Sequence, residues 1–433
     1  MHGKIQKVKR IMLAVMPYEG EVLDRVTDKF YKNKAVKYMP LGVLSLAASI
    51  PPQYEVNVLD AASRGLSLNE TIEEIERWQP DILGLSVVTY RAWAMTEILH
   101  RTTAPIKVVG GPHATNNHDI IRLQGADAVF VDDAEDSFPK WLKEGCPKGI
   151  FHGGQVPLDV LPLPARHLLD LDDYRIERNE EMLFDVGDLR LPMYSSKGCP
   201  LSCIYCDVQQ KTFNFKSPGR CVEEFQELIG MGVTSIHILD DAFNIRKNRV
   251  SEMSQALVRA GVDVDWSARG TVEVRESVIA DLAAAGCNRL HVGIESLDDN
   301  ILTYFKKSSR FKHIEKFCRL CEKYGITILA YFIIGTPLDT PEYLRDLPDR
   351  IEDLGIRLPY FNVLSALAET PYYDELLANG TFSTDHWAKF SANPVKDFVM
   401  PSVRSDDEDF ELRATVDQYV ARFKHKEMPV FVT

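Results

Sequence analysis

The chain has 433 residues, and several things are missing from it. No apolar run approaches the ~20 residues a membrane-spanning helix needs. The run Ile11–Met16, after a basic start at Met1–Arg10, is too short for a signal core and has no small-residue cleavage site behind it. It reads as a first buried strand, and a cytoplasmic location is expected. There is no excess of basic residues; the net charge is −13, which counts against nucleic acid as a partner. Eight cysteines in so long a chain do not make a disulfide framework. No internal repeat and no low-complexity tract is found.

What is present is a soluble, two-part α/β pattern. Over the first 150 residues, apolar strand candidates (Ile11–Met16, Tyr54–Leu59, Ile82–Val88, Val108–Val109, Ala128–Val131) alternate with helical segments such as Leu41–Ile50 and Asn69–Trp78. Such alternation predicts a parallel sheet with helices on both faces, with ligands at the carboxyl ends of its strands. Residues 151–190 break the pattern with Pro157, Pro162 and Pro164 and read as a linker. A second alternation fills 191–390, with strands expected at Met193–Ser196, Ser235–Leu239, Val264–Ala268, Arg289–Gly293, Thr327–Ile334 and Tyr360–Leu364. Six βα units suit a partial (βα)6 barrel of the TIM type. Residues 391–433, with the acidic run Asp406–Asp409, read as a solvated cap or helical tail.

The sharpest motif follows the first strand of the second domain. Lys197-Gly198-Cys199-Pro200-Leu201-Ser202-Cys203-Ile204-Tyr205-Cys206-Asp207 places three cysteines in the spacing CxxxCxxC. Thiolates are the usual ligands of iron–sulfur clusters. Three of them leave one iron of a [4Fe–4S] cube open, as a reactive cluster needs. Structural zinc takes four ligands, and this loop has no fourth Cys or His. Tyr205 can shield the metal from water. Cys318 and Cys321 form a CxxC, but on a helical segment where both fall on one face, so a core position is expected rather than a second cluster.

This motif, with its aromatic before the last cysteine, resembles the signature of the radical S-adenosylmethionine (SAM) superfamily. The resemblance implies that Cys199, Cys203 and Cys206 hold the cluster and that SAM binds the open iron. One electron then cleaves SAM to a 5′-deoxyadenosyl radical, which abstracts a substrate hydrogen. Flavodoxin or ferredoxin would be the electron donor. Further segments match in order. Asp240-Asp241-Ala242-Phe243 occupies the place of a segment that receives the SAM amine, a carboxylate–ammonium pairing; Asp at such a site can equally cap a helix. Arg269, ending Trp266-Ser267-Ala268-Arg269, would clamp the SAM carboxylate, unless it makes an ordinary surface ion pair. Glu295, in Gly293-Ile294-Glu295-Ser296, would meet the ribose hydroxyls, and Gly335 would lie near adenine. Tyr331, Tyr360 and Glu369 are placed at the cavity by their strand ends.

The first domain is similar to the cobalamin-binding-type, Rossmann-like domain of class B members of that superfamily. The similarity rests on Met39-Pro40-Leu41-Gly42, Leu59-Asp60-Ala61, Gly84-Leu85-Ser86 and Gly110-Gly111-Pro112-His113. Cobalamin itself is left open. The DxHxxG ligand motif is absent, with Ala62 where its histidine would stand, and the acidic loop Asp132–Asp136 lacks the family's glycines.

Two enzymatic readings follow. The first expectation is a diol dehydratase-like lyase that deoxygenates an amino sugar in antibiotic (aminoglycoside) biosynthesis. It would act on a cationic small molecule, suited to an acidic protein, with a downstream reductase. The alternative is a cobalamin-dependent C-methyltransferase. A non-catalytic iron–sulfur redox sensor would not need Asp241, Arg269 and Glu295.

Overall fold

The structure is a computed structural model, and it describes residues 9–20, 22, 38–175, 189–208 and 211–424. The basic first residues, the middle of the 151–190 linker and the end of the cap lie outside the described residues. The chain divides into two compact units. The described part of the first comprises residues 9–20, 22 and 38–174, with Asp385–Val399; Arg175–Thr384 and the chain from Met400 belong to the second.

In the first unit the order is β1 (Arg10–Val15), α1 (Leu41–Ser49), β2 (Glu55–Asp60), α2 (Leu68–Trp78), β3 (Ile82–Ser86), α3 (Ala92–Arg101), β4 (Ile106–Gly110), α4 (Pro112–Leu123), β5 (Ala128–Val131), α5 (Ser137–Lys143) and β6 (Gly149–His152). All six strands are parallel in the order β2-β1-β3-β4-β5-β6. The 2-1-3-4-5 core is a doubly wound sheet whose switch point lies between β1 and β3. Ile11–Ala14, Ile82–Leu85 and Ala128–Val131 are buried without alternation, because helices cover both faces. Gly84 is required by a close approach: a Cβ there would stand 2.7 Å from Leu13 Cδ2. α2 starts on a capping box, Ser67 with Glu70. β6 was not expected; it sits directly before the proline-rich stretch that reads as linker. The later segment Asp385–Val399 also packs in this unit, where Gln124 Nε2 donates to the Ser391 carbonyl at 2.9 Å and Trp387 meets Tyr90 edge-on.

The second unit runs β7 (Arg190–Met193), β8 (Ser196–Lys197), β9 (Asn214–Phe215), α6 (Pro218–Gly230), β10 (Ser235–Ile238), α7 (Lys247–Arg259), β11 (Asp265–Gly270), α8 (Glu276–Ala284), β12 (Cys287–Glu295), α9 (Asp299–Tyr304), α10 (Phe311–Lys323), β13 (Thr327–Ile334), α11 (Pro341–Asp353) and β14 (Leu358–Val363). α12 (Pro371–Ala378) follows, then α13 (His386–Ala392), which belongs to the first unit, and α14 (Asp406–Lys424). The six long strands are parallel and pair in chain order from β7 and β10 to β14. Each βα unit adds one strand to the same edge, the construction of a partial (βα)6 barrel. The expected first strand is split. β7 ends at Met193, and Ser196–Lys197 pairs antiparallel with Asn214–Phe215. That short ribbon closes the base of the cysteine loop.

The acidic run is not simply solvated. It forms the first turn of α14, where carboxylates favour the helix dipole. Asp409 is buried and pairs with Arg404 at 2.6 Å. Among the described residues, no helix is long and apolar enough to cross a membrane.

Candidate functional site

The cysteine loop leaves the barrel at the carboxyl end of β7, and a set of buried hydrogen bonds fixes its departure. Asp240, fully buried, follows β10. Its Oδ1 accepts from the Ser195 and Ser196 N–H groups at 2.7 and 2.9 Å, and its Oδ2 from both serine hydroxyls at 2.5 Å. The Ser195 carbonyl accepts from Lys216 N at 2.9 Å and from the buried Arg249 guanidinium at 2.6 Å. Asp241 Oδ2 accepts from Gly198 N at 2.9 Å, and Gly198 has a left-handed φ of 87°. Neither aspartate caps a helix; α7 starts only after Arg246.

Cys199 and Cys203 are buried and Cys206 is half-buried. Burial pushes the Cys199 thiol up, and Cys203 and Asp241 add to the rise. Burial likewise takes Cys206 to about 11, helped by Asp207, Cys203 and Cys199. The three sulfurs thus lie within one another's field, in surroundings that disfavour free thiolates. Iron supplies the positive charge such a set calls for. No group of three His, Cys, Asp or Glu among the described residues is gathered for a single metal ion. Three thiols with no fourth Cys or His in the loop suit a cluster with an open iron better than a four-ligand structural zinc.

Arg269, at the end of β11, is half-buried. Among the described residues its guanidinium has no ion-pair partner, and its Nε is buried without a hydrogen bond. Among the described residues, then, Arg269 makes no surface salt bridge. Asp241 is close enough to feel the Arg269 charge. Asp241 is exposed, yet partial desolvation by the protein around its carboxyl raises it above the usual range. A guanidinium with no ion-pair partner among the described residues, near a carboxyl held through Oδ2 by Gly198 N, matches the two charged ends of an amino acid.

Glu295 ends β12, buried, and its Oε1 accepts from Tyr205 Oη at 2.8 Å and Lys307 Nζ at 3.1 Å. The Tyr205 ring packs edge-on to Phe305 with centroids 5.0 Å apart. Gly335, after β13, has φ 77°. Its N–H donates to Asp339 Oδ2 at 2.7 Å, and a Cβ would stand 2.6 Å from Leu412 Cδ2. Gly335 is thus held against α14. Tyr331 reaches His291 Nδ1 at 3.4 Å and packs on Tyr360. Glu369 adopts a φ of 64°.

Lys307, Ser195 and Ser196 were missed from sequence. Lysines and serines carry no signal of their own, and their partners lie 12 to 45 residues away. Cys318 and Cys321 are buried in α10, with Cys318 pushed up to about 12 by burial. They are core thiols.

In the first unit, the Asp60 carboxylate at the end of β2 accepts from Ser63 N at 3.1 Å, from the Ser63 hydroxyl and from Tyr174 Oη at 2.6 Å. The segment that carries a metal-ligating histidine in the DxHxxG motif is here closed on a serine. His113 is fully buried. Its Nδ1 lies 3.2 Å from Thr89 Oγ1 and 3.3 Å from Asn117 Nδ2, and burial lowers it to about 4, so it is neutral. Asp132 takes the left-handed φ of 63° that a glycine would supply, and Glu135 accepts from Ser45 Oγ at 2.9 Å.

A model of the radical SAM superfamily matches residues 193–351, and one of the B12 binding domain matches residues 33–142. An uncharacterized methyltransferase of Pyrococcus horikoshii is 27% identical over 415 residues, covering 89% of this chain and 87% of that protein. Bacteriochlorophyllide d C-12(1)-methyltransferase of Chlorobaculum tepidum is 24% identical, over 86% of this chain and 79% of its own length. Among solved structures, the radical SAM methyltransferase TsrM of Kitasatospora setae, with cobalamin and a [4Fe–4S] cluster bound, superposes with a TM-score of 0.65 at 17% identity. The match covers 86% of this chain and 78% of that one. The strand orders of both units agree with this pairing of domains, and the chain is a radical SAM enzyme of the branch that carries a B12-binding domain ahead of the barrel, using a [4Fe–4S] cluster and SAM.

Proposed function

We propose that this enzyme is a cobalamin-dependent radical SAM methyltransferase acting on carbon in a small molecule. The observation that carries the reading is the reach of the similarity. Relatives named as methyltransferases align across both domains, over 86–89% of this chain. The dehydration of an amino sugar, expected first, rested on net charge and on the glycine-free loop Asp132–Asp136. Charge speaks to solubility before chemistry. Asp132 already takes the backbone conformation a glycine would be needed for, so the loop does not argue against cobalamin. The comparisons therefore favour the alternative over the first expectation.

In this reading Cys199, Cys203 and Cys206 hold three irons and leave the fourth open. Asp241 receives the ammonium of SAM and Arg269 its carboxylate. Glu295 meets the ribose hydroxyls, Gly335 borders adenine, and Tyr205 screens the cluster from water. Asp240 is assigned a different task from the SAM contact expected of it. Its oxygens are taken up by Ser195 and Ser196, so it anchors the cysteine loop. When bound, the cluster and SAM supply a one-electron route to an organic radical, and cobalamin supplies a methyl carrier. Within the first unit the Ser63-capped Asp60 offers no imidazole, so cobalamin would be held without a histidine from that loop.

The test is anaerobic reconstitution with iron and sulfide, with and without hydroxocobalamin, followed by desalting and product analysis under strong reductant. Retained cobalamin, with S-adenosylhomocysteine formed only when it is present, is the expected result. No retained cobalamin, with 5′-deoxyadenosine as the sole SAM product, would overturn the reading in favour of dehydration or rearrangement.

A further inference from the structure

Glu295 has a backbone φ of 64°, a conformation that a residue with a side chain adopts at a cost. The β12–β13 register shifts between Gly293 and Glu295, so the strand bulges there. The bulge turns the carboxylate toward Tyr205 and Lys307, which share its Oε1 at 2.8 and 3.1 Å. Both charged side chains are close to nine-tenths buried, at 11% exposure for Lys307 and 7% for Glu295. The seat depends on Gly293. A Cβ there would stand 2.2 Å from Glu295 Oε1 and 3.2 Å from Lys307 Nζ. Tyr205 lies between Cys203 and Cys206 in the chain, so the oxygen that binds the ammonium also binds the cysteine loop. Lys307 feels Glu295 and the charges of Cys203 and Cys206, which together outweigh the effect of its burial.

We propose that Lys307 is a positioning residue that clamps Glu295 by one oxygen for SAM and sets a buried positive charge beside the cluster cysteines, raising the cluster's reduction potential. This rests on the reading that those cysteines hold the cluster. Reduction adds negative charge, and a nearby buried cation favours the reduced form. Glu295 partly cancels that cation. The two residues therefore pull the potential in opposite directions, and their neutral variants must differ in sign. A purely structural pair would give no such pattern.

The experiment is an electron paramagnetic resonance redox titration of the reconstituted full-length chain, with SAM binding by equilibrium dialysis, on samples matched in iron and sulfide. Lys307→Met is expected to disfavour reduction about tenfold, ~59 mV for one electron, and to weaken SAM binding about tenfold. Lys307→Arg keeps charge and pair and is expected to stay within about twofold of the parent on both measures. Removing Lys307 alone leaves a buried carboxylate and can impair folding, so Glu295→Gln supplies the second arm and is expected to raise the potential. Lys307→Met with unchanged potential and SAM affinity would overturn the proposal, as would Glu295→Gln with a lowered potential. If the parent chain takes up no cluster, no signal arises in any sample, and the reading beneath the proposal falls with it.

Discussion

Asp60 ends β2 in the first unit and Asp240 follows β10 in the second, and both are buried carboxylates at the carboxyl edge of a parallel sheet. Each accepts from a serine N–H and a serine hydroxyl. They differ in where those serines stand. Asp60 takes its serine from three residues on, so the strand end closes into a local turn. Asp240 takes two serines from 44 and 45 residues back, at the end of a different strand. The same chemistry seals one loop and anchors the base of another, the one that carries the three cysteines. A strand-end aspartate is therefore a site marker only when its partners are known.

The contrast breaks most sharply at the loop that Asp240 holds. In the function proposed above, Cys203→Ala removes one of three cluster ligands, with no spare. Iron and sulfide content should fall to background and 5′-deoxyadenosine formation should cease. A cluster-replete, active variant would sink the assignment. Asp240→Ala should come next. It leaves four donors without their acceptor in a buried site, at roughly 1–3 kcal/mol for each group left unsatisfied. Urea unfolding of the second unit should shift by about 4 kcal/mol or more on that scale, and cluster loading should fall with it. Equal iron content in Asp240→Ala and the parent would reduce Asp240 to a bystander.

The first unit offers a smaller, pH-dependent effect. His113 is neutral and buried, with its folded value lowered by burial to about 4. The unfolded chain binds its proton near pH 6.5. Its contribution is therefore present above pH 6.5 and is lost as pH falls from there toward 4. The difference corresponds to about 3 kcal/mol. Denaturation of the apo-protein from pH 7 to pH 4 should show that loss, and His113→Gln should flatten it. An unchanged slope in the variant would place the acid sensitivity elsewhere.

Both sheets were legible in the sequence because parallel strands buried on two faces read as unbroken apolar runs, as Ile82–Leu85 and residues 328–334 do. β6 was hidden because Gly149–His152 lies at an edge, half-exposed and next to prolines. The cysteines stood out as candidate ligands because few other roles ask for three thiols at that spacing, and Arg269 stood out only through its place at a strand end. The jobs of the two aspartates were not, since adjacency in sequence says nothing of which carboxylate is already satisfied. Lys307 could not be found at all. Its meaning depends on a bulge at Gly293 that turns Glu295 toward it, and a bulge leaves no periodicity to read.

The smallest expected effect tests the closed half of the comparison. Tyr174 Oη donates to Asp60 Oδ2 at 2.6 Å in a buried setting, and burial with the Asp60 charge holds the phenol well above its usual range. Tyr174→Phe removes one donor while Ser63 still caps the carboxylate with its N–H and hydroxyl. Loss of one such bond costs about 1 kcal/mol. If the Asp60 turn is a sealed structural element, thermal unfolding of the first unit should fall modestly and hydroxocobalamin retention should stay as in the parent. A variant of parental stability that no longer retains hydroxocobalamin would show the turn to be part of a binding surface. Asp60 would then resemble Asp240 in purpose as well as in chemistry.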